Sequence, residues 1–497
     1  MSGHGNRSGA DADVADIEAD VLAALEADGR EASGGAFLRV AAEYYAGAWS
    51  GEGPVSPVSS AGSAGPLLAP PPRRGASLQE VADRLQRDVV ARSNRLAHPM
   101  AMGHQVSPPL PPAVWAETVI SALNQSLAVR EMSPAGTEVE RGLVTWLAGL
   151  AGLGPRAGGA FAGGGTEANF TALLAARAAA LPDAWRSGVT AGPPGPVIVC
   201  GEHAHYSIAR AAGQMGIGVD NVITVPARDF RMDVGALPGV LDGLAAEGRT
   251  VVAVVASAGS TATGSFDDIA AMADACAAHG AWLHVDAAHG GTSLLSDAHR
   301  HRLRGIDRAD SVTWDPHKLM LVPIPCSVLL VRDEASLDAA FAQAAPYLFR
   351  GSAGRSEDQG VRSFACSRRL EALKLWVVLQ RYGTDGLAAL HDRLCRMASA
   401  LHRRIEAHPS LVALHEPESN ILCFRWTGAD GQGEVAGDDV NLRLREAWNA
   451  AGEGWITTTV LGGRRVLRVT LMNPRTTESH LDRLVSGLDA TARRLGP

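Results

Sequence analysis

Nothing in this sequence builds a disulfide framework, a membrane span or a nucleic-acid-binding face. Its six cysteines (Cys200, Cys276, Cys326, Cys366, Cys395 and Cys423) form no Cys-x-x-Cys pair. In a chain of 497 residues they read as buried thiols rather than cross-links. The apolar runs, such as residues 250–258, are too short to cross a bilayer. The first 35 residues are polar and acidic, without an apolar stretch behind a basic start, so no secretory signal is expected and the setting reads as cytoplasmic. Lys plus Arg number 45 against 53 Asp plus Glu, a formal net charge of −8. That mild acidity, with no long basic run, argues against a nucleic-acid partner. There is no internal repeat.

What is present is an ordinary globular composition, 46% apolar and 20% charged, over a length that suggests about three domains or subdomains. Residues 1–35 read as a flexible acidic tail. Residues 36–110 read as a helical and extended segment, with helical apolar spacing over 36–49 and a connector rich in Ser, Gly, Ala and Pro from 51 to about 75. From 111 the pattern alternates. Amphipathic helices are expected over 137–150 and 166–181, and short apolar strands over 196–200, 250–256, 281–285, 311–314 and 327–331. Continuous apolar strands separated by helices imply a parallel sheet covered on both faces. The last part, 383–497, opens with a long helix and continues with strands at 421–426 and 466–472, a smaller α+β domain. The fold class is α/β, with a mostly parallel sheet in a large domain over 111–382.

Four segments carry chemistry. In Ser311-Val-Thr-Trp-Asp-Pro-His-Lys318 a lysine follows directly on an apolar strand, where open α/β sheets bind ligands. A partly desolvated lysine loses its proton readily and forms an imine with an aldehyde. In Ala281-Trp-Leu-His-Val-Asp-Ala-Ala288 a carboxylate ends an apolar strand. Buried there, Asp286 needs a cationic partner, for which a protonated pyridine nitrogen is suitable, and the small Ala288 leaves room for a flat ring. Gly163-Gly-Gly-Thr-Glu-Ala168 opens a helix whose free N–H groups suit a phosphate, with the Thr166 hydroxyl beside them. In Glu202-His-Ala-His-Tyr-Ser207 an imidazole can lie over an aromatic cofactor. Each segment has a plainer reading: a surface lysine, a turn-capping aspartate, a simple glycine turn, a satisfied loop histidine. Metal binding by His203 with His205, or by His284 with Asp286, lacks a third ligand at a familiar spacing, so no metal is expected. Phosphate cradle, stacking group, carboxylate and imine lysine in one chain share one explanation, pyridoxal 5′-phosphate (PLP).

With those residues in view, the sequence resembles the group II pyridoxal-dependent decarboxylases, from about residue 36 to the C-terminus. His-Val-Asp-Ala-Ala at 284–288 and Asp-Pro-His-Lys at 315–318 look like the family's signature segments. The resemblance implies a fold type I, aspartate aminotransferase-like architecture and decarboxylation of an L-amino acid. It implies catalytic roles for Lys318, His205 and Asp286. It makes His205 the stacking histidine and places Gly165, Thr166 and His317 at the phosphate, with Thr261 and Ala288 in the cofactor pocket and His104 near the substrate. It implies a homodimer with active sites at the interface, the 36–110 segment wrapping the partner. The C-terminal Leu467-Arg-Val-Thr-Leu-Met-Asn-Pro474 is most similar to the bacterial diaminobutyrate branch.

One departure bears on the outcome. Family members carry a tyrosine on a mobile loop that returns a proton to the substrate carbon. The corresponding loop, residues 350–366, has no tyrosine; the expected position falls near Glu357–Gln359, and Tyr347 lies before the loop. Either another acid (His205 or a water) supplies that proton, or the carbanion is diverted to oxygen, releasing an aldehyde. Another PLP lyase reaction and a non-catalytic PLP-binding protein complete the alternatives.

Overall fold

The computed structural model describes residues 20–28, 34–56, 70, 72–189, 194–342, 357–428 and 438–496. The acidic tail up to residue 19, most of the connector, and loop residues 350–356 with Tyr347 lie outside the described residues.

Seven strands make the central sheet: β1 (Gly158–Ala162), β2 (Val197–Gly201), β3 (Val222–Val225), β4 (Val251–Ser257), β5 (Leu283–Asp286), β6 (Ser311–Trp314) and β7 (Ser327–Val331). Their order is β1-β7-β6-β5-β4-β2-β3. Strands β2 to β6 pair in parallel with one another, whereas β7 runs antiparallel to both β1 and β6. The expected mostly parallel sheet is therefore present, with one reversed strand. Every residue of β1, β2, β6 and β7 is buried, because helices cover both faces.

On one face Leu143 and Leu147 of the helix Pro134–Leu150 and Ile269 and Met272 of the helix Ile269–His279 pack on Val199, Val254, Val285 and Val312. On the other, Ala168, Ala172 and Ala176 of the helix Gly165–Ala180 lie against Ile198, Val255 and Leu329. Small side chains on that helix bring its backbone close to the sheet. Each fully buried Val or Leu contributes about 1.5–3 kcal/mol. Together they make a stiff platform, and the loops after β2, β4, β5 and β6 open from one edge of it.

The C-terminal sheet is wholly antiparallel. Its strands β8 (Leu411–Ala413), β9 (Ile421–Trp426), β10 (Thr457–Leu461) and β11 (Arg464–Thr470) are arranged β8-β9-β11-β10. The helices Asp438–Ala450 and Glu478–Leu495 supply Leu444, Trp448, Leu481 and Leu488 to its core. Val55, Met100 and Met102 also belong to that core. The Thr470 amide donates to the Met102 carbonyl at 2.9 Å, the Met102 amide to the Trp455 carbonyl at 2.8 Å, and Asn473 Nδ2 to the Ala97 carbonyl at 2.9 Å. Part of the 36–110 segment is thus built into the small domain.

The long helix expected to open at 383 is the second half of a longer one, Ala372–Glu406, broken at Gly383, whose φ of 67° and ψ of 178° are not helical. Leu375 and Leu387 on either side of the break sit in the large core, while Leu401 and Ile405 sit in the small one. Of the six cysteines, five are buried as expected and Cys366 is exposed.

Candidate active site

The loops at the open edge of the sheet enclose a cavity of about 800 Å³. Gly165, Thr166, His205, Thr261, Asp286, Ala288, His317 and Lys318 all line it. His104 does not. It is exposed and packs edge-on against Trp455, ring centroids 5.1 Å apart.

Lys318 follows β6 in a turn in which its own amide donates to the Asp315 carbonyl at 2.9 Å. That turn places Lys318 Nζ 2.9 Å from Asp315 Oδ2. His317 Nε2 lies 3.6 Å from the same oxygen, while its Nδ1 is 2.7 Å from the Cys326 carbonyl. Burial lowers the pKa of His317, with Asp315 opposing the shift.

Asp286 ends β5. Its Oδ2 accepts from Asn169 Nδ2 at 2.8 Å and its Oδ1 accepts from the Ala288 amide at 3.2 Å. Asn169 lies one turn into the helix Gly165–Ala180, so the helix that opens at Gly165 also supplies a partner to Asp286. A Cβ at Gly165 would fall 2.7 Å from Asp315 Oδ2, a spacing no side chain tolerates. His205 Nδ1 lies 2.8 Å from Ser207 Oγ. Burial holds the His205 imidazole below its ordinary range, partly offset by the Asp286 charge.

Of the residues considered for a metal, His284, His205 and Asp286 are engaged otherwise. His284 is fully buried, with Nδ1 2.9 Å from Ser311 Oγ and Nε2 3.0 Å from Asn169 Oδ1. Among the described residues the three groups within mutual reach of an ion are His299, His391 and Cys395, none of which lines the cavity.

Wall residues that escaped sequence reasoning include Asn169, His289 and Phe364. His289 follows Ala288; burial brings its imidazole down to about 3, its Nε2 lies 2.7 Å from Asn420 Oδ1, and its buried Nδ1 has no partner among the described residues. The signal for Asn169 and His289 was a polar residue inside an otherwise small and apolar stretch. Phe364 packs edge-on against Phe170, centroids 5.3 Å apart, and gave no signal. At the position where a tyrosine was sought, Glu357 pairs with Arg130 and Arg141, both at 3.2 Å, and Asp358 Oδ1 accepts from the Arg130 amide at 2.8 Å.

A lysine at the end of a parallel strand, a carboxylate on the neighbouring strand, a helix N-terminus and a roomy cavity fit PLP. The unpartnered, buried Oδ1 of Asp315 and Nδ1 of His289 leave polar capacity for such a guest. Residues 80–427 match the pyridoxal-dependent decarboxylase conserved domain. The chain belongs to this family. This decarboxylase is 38% identical over 431 residues to L-2,4-diaminobutyrate decarboxylase of Rhizobium meliloti, covering 86% of this chain and 85% of the relative. It is 32% identical over 434 residues to cysteine sulfinic acid decarboxylase of Rattus norvegicus, covering 85% and 87%. Its structure resembles that of mouse CSAD with a TM-score of 0.87 at 29% identity, over 95% of this chain and 99% of that one. It also resembles Oryza sativa TDC with PLP and tryptamine, TM-score 0.85 at 26% identity, over 96% and 98%. The fold is therefore the α/β fold of the PLP decarboxylases, and the decarboxylase uses PLP to remove the carboxylate of an L-amino acid. These relatives do not favour the aldehyde-releasing outcome.

Proposed function

We propose that this decarboxylase acts on a short L-amino acid with a cationic side chain, of the 2,4-diaminobutyrate class. The higher identity to a diaminobutyrate decarboxylase than to a cysteine sulfinic acid decarboxylase carries this reading. Glu167, a wall carboxylate not assigned to the cofactor, suits an ammonium better than a sulfinate.

Bound PLP supplies the electron sink for the pair left when the Cα–carboxylate bond breaks. Lys318 would hold the cofactor through Nζ. Asp286 would keep the ring nitrogen protonated, and His205 and Ala288, which line the same cavity, would hold the ring. Gly165, Thr166 and His317 would hold the phosphate, with Thr261 on the same cavity wall. His205 holds a proton on the cavity wall for return to the substrate carbon in place of the loop tyrosine. The active form is a cytoplasmic homodimer with active sites at the interface.

The test is an amino-acid panel on the PLP-loaded protein, following amine, CO₂, aldehyde and peroxide together. The expected result is stoichiometric diamine and CO₂ from 2,4-diaminobutyrate, without peroxide. Faster turnover of an acidic or aromatic amino acid would overturn the substrate class. Aldehyde with peroxide would overturn the outcome.

A further inference from the structure

We infer that Asn169, His284 and Ser311 are positioning residues. They form a one-way hydrogen-bond relay that sets the orientation of Asp286 and the tautomer of His205. This rests on the roles of Lys318, Asp286 and His205 proposed above and deepens them.

The direction of the relay follows from what each group is able to give. Asp286 Oδ2 is an acceptor, so the Asn169 atom 2.8 Å away is the amide nitrogen. That leaves the Asn169 oxygen facing His284 Nε2 at 3.0 Å, and this nitrogen therefore carries the proton. Burial brings the His284 imidazole down to about 4, so near neutral pH the ring holds a single proton and Nδ1 is bare. The bare nitrogen accepts from the Ser311 hydroxyl at 2.9 Å. The far end agrees independently: the Trp282 indole N–H is a pure donor and meets Ser311 Oγ at 2.8 Å, so that oxygen is left to give its own proton to His284.

The relay also branches. The second proton of Asn169 Nδ2 goes to Ser207 Oγ at 3.0 Å, and Ser207 Oγ in turn lies 2.8 Å from His205 Nδ1. The Ser207 backbone N–H also reaches His205 Nδ1, at 3.3 Å, and a backbone amide only donates. His205 Nδ1 is therefore an acceptor, and in the neutral ring the proton sits on Nε2. One buried amide thus holds the carboxylate of Asp286 and, through Ser207, orients the imidazole of His205. Reversing the Asn169 amide would set its oxygen against the carboxylate and leave both buried ends unpaired. His284, Ser311 and Trp282 prevent that reversal. This gives a physical reason for a histidine two residues before Asp286 that has no free nitrogen for the cofactor.

The test uses PLP-loaded Asn169→Asp, Ser311→Ala and Ser311→Thr beside wild type. Borohydride reduction counts the cofactor bound at Lys318, and all rates are expressed per bound cofactor. Asn169→Asp is expected to lower kcat on the order of 100-fold and Ser311→Ala on the order of 10-fold, the range for partners that orient a reacting group. KM should stay within about two-fold for Ser311→Ala, because Ser311 is buried and does not line the cavity. The pH midpoint of the cofactor's visible band should shift in both variants and return in Ser311→Thr, which restores the hydroxyl. Wild-type kcat and an unshifted band in Ser311→Ala would overturn the relay, even if Asn169→Asp failed to fold. Absence of cofactor mass on wild-type Lys318 would instead overturn the assignment of the site itself.

Discussion

Two lysines, Lys318 and Lys374, are both withdrawn from bulk water, and their surroundings differ in one respect. Lys374 is fully buried. Its ammonium meets Glu371 in a close pair, Glu117 Oε1 at 2.9 Å, and the carbonyls of Pro323 and Pro325 at 3.1 and 2.5 Å. Three donors are thereby committed, and the lysine ties the helix Ala372–Glu406 to the turn that closes the cavity. Lys318 has Asp315 as its one carboxylate partner among the described residues, its side chain is 18% exposed, and it borders the cavity. A nitrogen that must form and release a covalent bond has to keep capacity unspent. A nitrogen that holds a fold together has none to spare.

The largest effect should come from Lys318→Ala. Activity is expected to fall to background and borohydride trapping to vanish, with the unfolding midpoint of the apo protein near wild type. If trapping persisted, some other amine would be the anchor and the contrast with Lys374 would collapse. Next is Lys374→Met, which strands Glu371 and Glu117. Thermal or denaturant unfolding should register a loss of about 3–5 kcal/mol, the usual result of removing one side of a buried pair. Activity per folded molecule should change little. A large kcat defect at unchanged stability would make Lys374 part of the chemistry.

The smallest effect concerns the burial that surrounds both lysines. His391 is buried, and desolvation brings its imidazole down to about 4. In the unfolded chain that group binds a proton near 6.5 and in the folded chain only near 4, so acid favours the unfolded state. The stability linked to His391 is complete above about pH 6.5 and drains away as pH falls toward 4. Between pH 7 and pH 5 the wild type should lose about 2 kcal/mol more than His391→Gln. Equal losses would show that His391 is protonated in the fold.

The comparison also shows what a sequence can disclose. Lys318 was legible because it directly follows a run of strand formers, and Asp286 because a carboxylate at the end of an apolar strand demands a reason. The strands at 311–314 and 327–331 were found to the residue, since Val, Leu and Trp between turn residues leave little choice. Strand β1, Gly-Gly-Ala-Phe-Ala, was missed because its composition has little strand propensity. The reversal of β7 was missed because a continuous apolar run carries no direction. Lys374 gave no sign of its role; its partners Glu117, Pro323 and Pro325 are brought to it only by tertiary contacts. Asn169 sat inside a helix pattern, where a single amide is easily taken for surface. The helix at Gly383 was placed but its continuity was not, because helical spacing resumes on the far side of the break.

The stitching of residues 97–102 onto the C-terminal sheet has a consequence for how the chain is made. Asn473 and Thr476 bond to Ala97 and Pro99, partners 376 and 377 residues apart. Met100 and Met102 leave the ribosome early and find their core only when the last strand has been synthesised. At about 5–20 residues per second that interval is roughly 20–75 seconds. Through all of it the nascent chain carries an apolar segment without its destination, so the core of the small domain cannot be completed until synthesis is nearly over.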